Sequence, residues 1–161
     1  MINEIPETRI DEKAIKAWRT TGLLVGLLWF FIPAACFFVA IMEGNMRWVL
    51  LSLITLPFVI LYLCTGFLFP KLRWQRWRYE VNDDAIDLLR GFVFKKRTVV
   101  PINRVQHVDT NQGPIYRKYG LSSVKISTAA TTHEIPALDD ETAADVRNKI
   151  SKLVRQVKED V

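Results

Sequence analysis

A two-helix membrane hairpin followed by a small, mainly β domain that one amphipathic helix closes is the fold class this sequence predicts. Three observations predict it: two uncharged apolar blocks, a link between them too short for anything but a reversal, and a later change of apolar spacing from strand to helix. In a chain of 161 residues with an apolar share of 50%, the excess over an ordinary soluble composition sits in those two blocks.

The blocks run from Thr20 to Met42 and from Trp48 to Pro70, each about 23 residues long against the roughly 20 that carry an α-helix across the hydrocarbon layer. Only Glu43 to Arg47 join them, so the two helices run antiparallel. Pro33 and Pro57 fall near the middle of each block, where a membrane helix tolerates them because neighbouring groups satisfy the freed carbonyls. A pair of buried core helices is the competing reading, and the length of the uncharged runs speaks against it. Gly22, Gly26, Ala34, Ala35 and Ala40 allow close helix contact, which favours packing inside a complex. Cys36 and Cys64 lie in separate spans, with neither a disulfide framework nor a zinc spacing around them, and no cofactor is implied. A lipoprotein signal ending at Cys36 is rejected, since apolar sequence continues to Met42.

Arg9, Lys13, Lys16 and Arg19 precede the first span, Lys71, Arg73, Arg76 and Arg78 follow the second, and Arg47 alone marks the turn. By the positive-inside rule both termini are expected in the cytoplasm. The stretch KLRWQRWR, residues 71–78, reads as an inner-leaflet anchor. The expected interface residues are Trp18, Arg19, Trp48, Lys71, Arg73, Trp74, Arg76, Trp77 and Arg78. The predicted organisation is thus a cytoplasmic segment, in part an amphipathic helix, over 1–21, the hairpin over 22–70, and a cytoplasmic domain with its juxtamembrane anchor over 71–157.

From Tyr79 onward there are 13 Lys plus Arg and 12 Asp plus Glu, so the net charge of +5 comes mainly from the juxtamembrane residues. That balance lacks the basic field of a nucleic-acid reader. Strands are predicted at Arg76–Val81, Ala85–Leu89, Thr98–Ile102, Val105–Asn111, Leu121–Thr128 and His133–Pro136. Asn82, Asp83 and Asp84 make the first turn. Pro114 and Gly120 bracket one helical turn over Ile115–Tyr119. A last helix begins after Asp139 as N-cap, with Val146, Ile150, Leu153 and Val157 at helical spacing.

PINRVQHVDTNQGPIYRKYGLSSVKISTA, residues 101–129, with WRYEV ahead of it and HEIPALDDETAADVRNKI behind, resembles the bacterial pleckstrin-homology-like domain of the YdbS-type membrane proteins. IDEKAIKAWRTTGLL, residues 10–24, is similar to that family's lead into its hairpin. The resemblance implies a membrane hairpin joined to a cytoplasmic pleckstrin-homology-like fold, no enzymatic activity, and a larger membrane protein with repeats of the same domain as partner. It also carries an association with protection against membrane-active antimicrobial peptides. Phosphoinositide-binding members of this fold hold lipid phosphates with Lys and Arg in the loop joining the first two strands. Here that loop is taken to be Asn82–Asp84, which is acidic.

The expected function is therefore a non-enzymatic, membrane-anchored scaffold or interaction module that meets the bilayer and a second membrane protein, and that also has scope to oligomerise. An anionic-lipid sensor is the alternative, with Phe92, Phe94, Lys95, Lys96 and Arg97 as candidate lipid or partner contacts. Solvated basic residues with the aromatics turned inward explain that loop equally well. A membrane-bound hydrolase is the weakest reading: His107 and Asp109 share a strand face near Ser123 and Ser127, but a dyad without an oriented nucleophile and oxyanion donors is not a site. His133 stands beside two threonines and points to no chemistry. Neither span contains a carboxylate or histidine for proton relay.

Overall fold

The computed structural model describes residues 6–91 and 94–159. The chain divides into two compact units: Trp18–Pro70, and a second unit that combines the residues up to Ala17 with those from Lys71 onward.

The first unit is the hairpin. α1 runs over Lys13–Glu43 and α2 over Met46–Arg76, 31 residues each, so both helices extend beyond this unit. Gly44 takes φ +62°, the left-handed conformation that ends a helix without a Cβ clash. Asn45 then caps α2: its Oδ1 accepts the Arg47 backbone N–H at 3.0 Å. The Trp48 indole N–H reaches back to Glu43 Oε2 at 2.8 Å, which closes the turn more tightly than five linking residues require.

Gly22 and Gly26 serve the hairpin itself. A Cβ on Gly22 would lie 3.5 Å from the Gly66 Cα, and one on Gly26 would lie 2.2 Å from Leu63 Cδ2. The glycines thus let the two helices approach backbone to backbone, which is where membrane helices gain their packing energy. Arg19 stacks over the Phe67 ring at 4.1 Å and donates from Nε to the Phe67 carbonyl at 3.2 Å. Only 17% and 11% of the most apolar windows of α1 and α2 are buried within the chain. Core helices of a soluble protein would be covered, so this surface has lipid as its natural solvent.

The second unit contains two antiparallel sheets. β1 (Thr8–Arg9), β2 (Arg78–Val81), β3 (Ala85–Arg90) and β4 (Lys96–Pro101) form one in that order; β5 (Val105–Asn111), β6 (Leu121–Thr128) and β7 (Thr132–Asp139) form the other. A 3₁₀ turn over Ile102–Arg104 joins the sheets, and the short helix α3 (Pro114–Tyr119) joins β5 to β6. Gly120 ends α3 at φ +63°. α4 (Asp140–Glu159) packs on β5, β6, β7 and the 3₁₀ turn. Ile86, Leu88, Val100, Ile102, Val124, Ile126, Ile135 and Ile150 are at most 2% exposed and make the core.

Several expectations are corrected here. The segment before the hairpin is part of the folded unit: β1 pairs with β2 through Thr8↔Tyr79 and Arg9↔Arg78. Pro6, Ile10, Ala14 and Ala17 are buried. The same segment reaches the other sheet, where Asp11 N–H donates to the Ala137 carbonyl at 3.1 Å and Lys13 Nζ to Asp139 at 3.0 Å. Ala137 is the one described non-glycine residue with positive φ, at 51°, and its carbonyl accepts this clasp. α2 continues to Arg76, because Arg73 and Arg76 in its last turn suit the negative helix end. The strand expected to begin there starts at Arg78. β7 runs past Pro136, which an edge strand tolerates, and a register shift between Ser122 and Val124 absorbs the extra residue. On α4 the buried positions are Ala143, Ile150 and Val154, one step round from Leu153 and Val157.

Candidate functional site: the basic end of the first sheet

The hairpin leads into β2 through Lys71–Arg76, the final turns of α2. Two of the tryptophans expected at the headgroup layer are engaged by the soluble unit instead. Trp77 is 5% exposed, so its ring is core. Trp74 donates its indole N–H to the Ile10 carbonyl at 3.0 Å and carries Arg9 over its ring at 5.6 Å. Arg78 is half-buried and donates to the Pro6 carbonyl at 3.4 Å. Lys71, Arg73 and Arg76 remain exposed, and Trp18, Arg19 and Trp48 are half-buried.

The loop between β3 and β4 carries the second group of candidates. Phe92 lies outside the described residues. Phe94 is 86% exposed, and Lys95 and Lys96 are exposed with it. Arg97 is committed elsewhere: its Nε donates to Asp87 Oδ2 at 2.8 Å across the sheet, and Asp87 is buried. This bond, which also raises the Arg97 pKa, holds the guanidinium against the sheet. The arrangement satisfies one oxygen of a buried carboxylate that would otherwise be costly.

Behind this loop lies a cavity of about 300 Å³ lined by Gln75, Arg76, Arg78, Leu89, Arg90, Gly91 and Lys95. Four cations converge there from the end of α2, from β2, from the end of β3 and from the loop. Gly91 makes the convergence possible: its φ is +127°, and a Cβ would collide with the Phe94 carbonyl oxygen. A larger open cleft of about 670 Å³ separates β4 from β5, with Val100, Pro101, Arg104, Val105 and His133 among its walls. Burial, then Arg90 and Lys96, hold the His133 imidazole below its ordinary value of 6.5.

A folded pKa below the unfolded one means that His133 supports the fold above pH 6.5 and that this support is lost as the pH falls through the folded value. Neutralising both cations, in Arg90→Gln with Lys96→Gln, is expected to raise the His133 pKa part of the way towards 6.5, burial retaining the rest. An NMR titration of the imidazole protons reads it. An unmoved midpoint would show that these charges do not act on the ring.

The catalytic candidates do not assemble. His107 and Asp109 are 3.3 Å apart but both about two-thirds exposed on β5. Ser123 is buried with its hydroxyl on the Asn111 carbonyl, and Ser127 pairs with Thr132. Among the described residues no three His, Cys, Asp or Glu side chains gather as a metal site.

The acidic loop Asn82–Asp84 joins β2 to β3, the first two strands after the hairpin. Two antiparallel sheets and a covering helix after a two-helix hairpin fit the fold the resemblance implied, and the family model for the bacterial PH domain matches residues 21–154. The chain belongs to the bacterial PH domain family. UPF0699 transmembrane protein YdbS of Bacillus subtilis (strain 168) is 38% identical to it over 162 residues, 99% of this chain and 100% of that protein. UPF0699 transmembrane protein YdbT of the same organism is 24% identical over 118 residues, which cover 73% of this chain but only 23% of YdbT. No solved structure matches significantly. This bacterial PH domain protein is a membrane protein whose two-helix hairpin is inserted into a PH-like unit. The family match begins at residue 21, so β1 and its clasp lie ahead of it.

Proposed function

We propose that this chain is a non-enzymatic, membrane-anchored interaction module that assembles with a second membrane protein at the inner face of the membrane. The observation that carries the reading is the pairing of β1 with β2 across the hairpin. One folded unit contains the chain on both sides of the spans, so both ends of the hairpin emerge on one side of the bilayer. The excess of Lys and Arg at those ends over the single Arg47 at the turn favours the cytoplasmic side.

A domain tethered at two points has little freedom to leave the membrane surface, and its effective concentration there is high. Weak contacts with another membrane protein then suffice. A larger protein that repeats the PH-like module fits the role, and YdbT, of which the match covers 23%, is a much longer relative.

Affinity purification of the full chain in mild detergent is expected to recover a second membrane protein in stoichiometric amount. Recovery of the chain alone, from membranes in which reporter fusions place both termini in the cytoplasm, counts against the module and leaves the topology standing.

A further inference from the structure

We infer that Arg76, Arg78, Arg90 and Lys95 form a binding site for the phosphate of an anionic lipid headgroup. The proposal does not depend on a protein partner. Four cations and no carboxylate line the cavity among the described residues. A solvated basic face would spread its charges; here they converge on one hollow from four places in the chain. Complementarity with the helix end accounts for Arg76 but not for Arg90 and Lys95, which arrive from β3 and the loop after it. Guanidinium groups bind phosphate oxygens through paired, charge-assisted hydrogen bonds, so three arginines and a lysine suit an anionic phosphate.

Chain length decides the source of that phosphate. From Pro70, where the hairpin unit ends, to Arg76 there are six helical residues, about 9 Å at 1.5 Å each. The headgroup layer of one leaflet is roughly 5–8 Å deep. Arg76 therefore stands within a side chain's length of the headgroup layer, where lipid phosphates are far more concentrated than any soluble one.

The test uses the full chain in detergent micelles doped with phosphatidylglycerol or with phosphatidylcholine, with retained lipid counted by native mass spectrometry. Phosphatidylglycerol is expected to be retained in preference. The double variant Arg90→Gln/Lys95→Gln should lower its retention about thirtyfold, the loss expected for two cations close to a lipid surface. The charge-matched variant Lys152→Gln/Arg155→Gln, on the exposed side of α4, should retain it like the wild type. Millimolar inorganic phosphate should leave the lipid bound. Equal retention by the wild type and the first variant would overturn the site. Binding of inorganic phosphate with no preference for phosphatidylglycerol would overturn the lipid assignment. Should the double variant melt early, Lys95→Gln alone, in the exposed loop, supplies the same comparison with a smaller drop.

Discussion

Deletion of residues 1–10 is expected to unfold the PH-like unit while the hairpin still inserts. The deletion removes β1, whose two residues pair with Arg78 and Tyr79, and with it the fully buried Pro6 and Ile10. Burial of the two side chains is worth about 3–5 kcal/mol together. The Trp74 indole N–H would exchange the Ile10 carbonyl for water, a net loss of about 0.5–1.5 kcal/mol more. The sum approaches the roughly 5–15 kcal/mol that hold a domain of this size together. Limited proteolysis of membranes checks it: residues 76–159 should become cleavable in the truncated chain and remain protected in the full one. Unchanged protection would mean that the sheet stands without its first strand.

The second large effect concerns the hairpin. Gly22→Leu is expected to lower the resistance of the helix pair to denaturing detergent by about 1–3 kcal/mol, the usual cost of overpacking. Gly22→Ala is expected to be near neutral. A Cβ at this position meets the Gly66 backbone at 3.5 Å, an ordinary contact, but a branched side chain has only backbone in front of it, and backbone cannot rotate aside. Gly26 differs, since its neighbour is the flexible end of Leu63. Titration of each variant with sodium dodecyl sulfate in micelles, followed by tryptophan fluorescence, reads the difference. Equal midpoints for the Ala and Leu variants would show that the close approach at Gly22 contributes nothing.

The contrast between those glycines shows how far local pattern reaches. A small residue in a span announces close packing, but its partner is a matter of three-dimensional placement. The sequence suggested packing inside a larger complex; the structure directs Gly22 and Gly26 towards α2 of the same chain. Trp74 and Trp77 teach the same lesson. An indole just past a span has one appearance in the sequence whether it meets headgroups or a protein core, and here one ring is buried and the other holds Ile10. The basic cavity was legible only in part. Arg76, Arg78 and Lys95 stood out as cations, but Arg90 ends a strand with nothing around it to mark it, and the turn at Gly91 brings it to the others. Arg97 stood out equally and is bound to Asp87, a partner ten residues away on the neighbouring strand.

By itself the sequence determined what depends on solvent and on neighbours a few residues apart. The two spans, β5, β6, the turn of α3 between Pro114 and Gly120, and the helical period of α4 all follow from water rejecting apolar runs and from backbone preferences that act locally. The tertiary structure decided what depends on pairing across the chain. A two-residue strand has no periodicity to detect, so β1 exists only because β2, about 70 residues later, offers it hydrogen bonds and a buried place for Ile10. That single pairing makes the membrane hairpin an insertion within one folded unit, since contacts distant in sequence form wherever buried area exceeds the entropy of closing the loop between them.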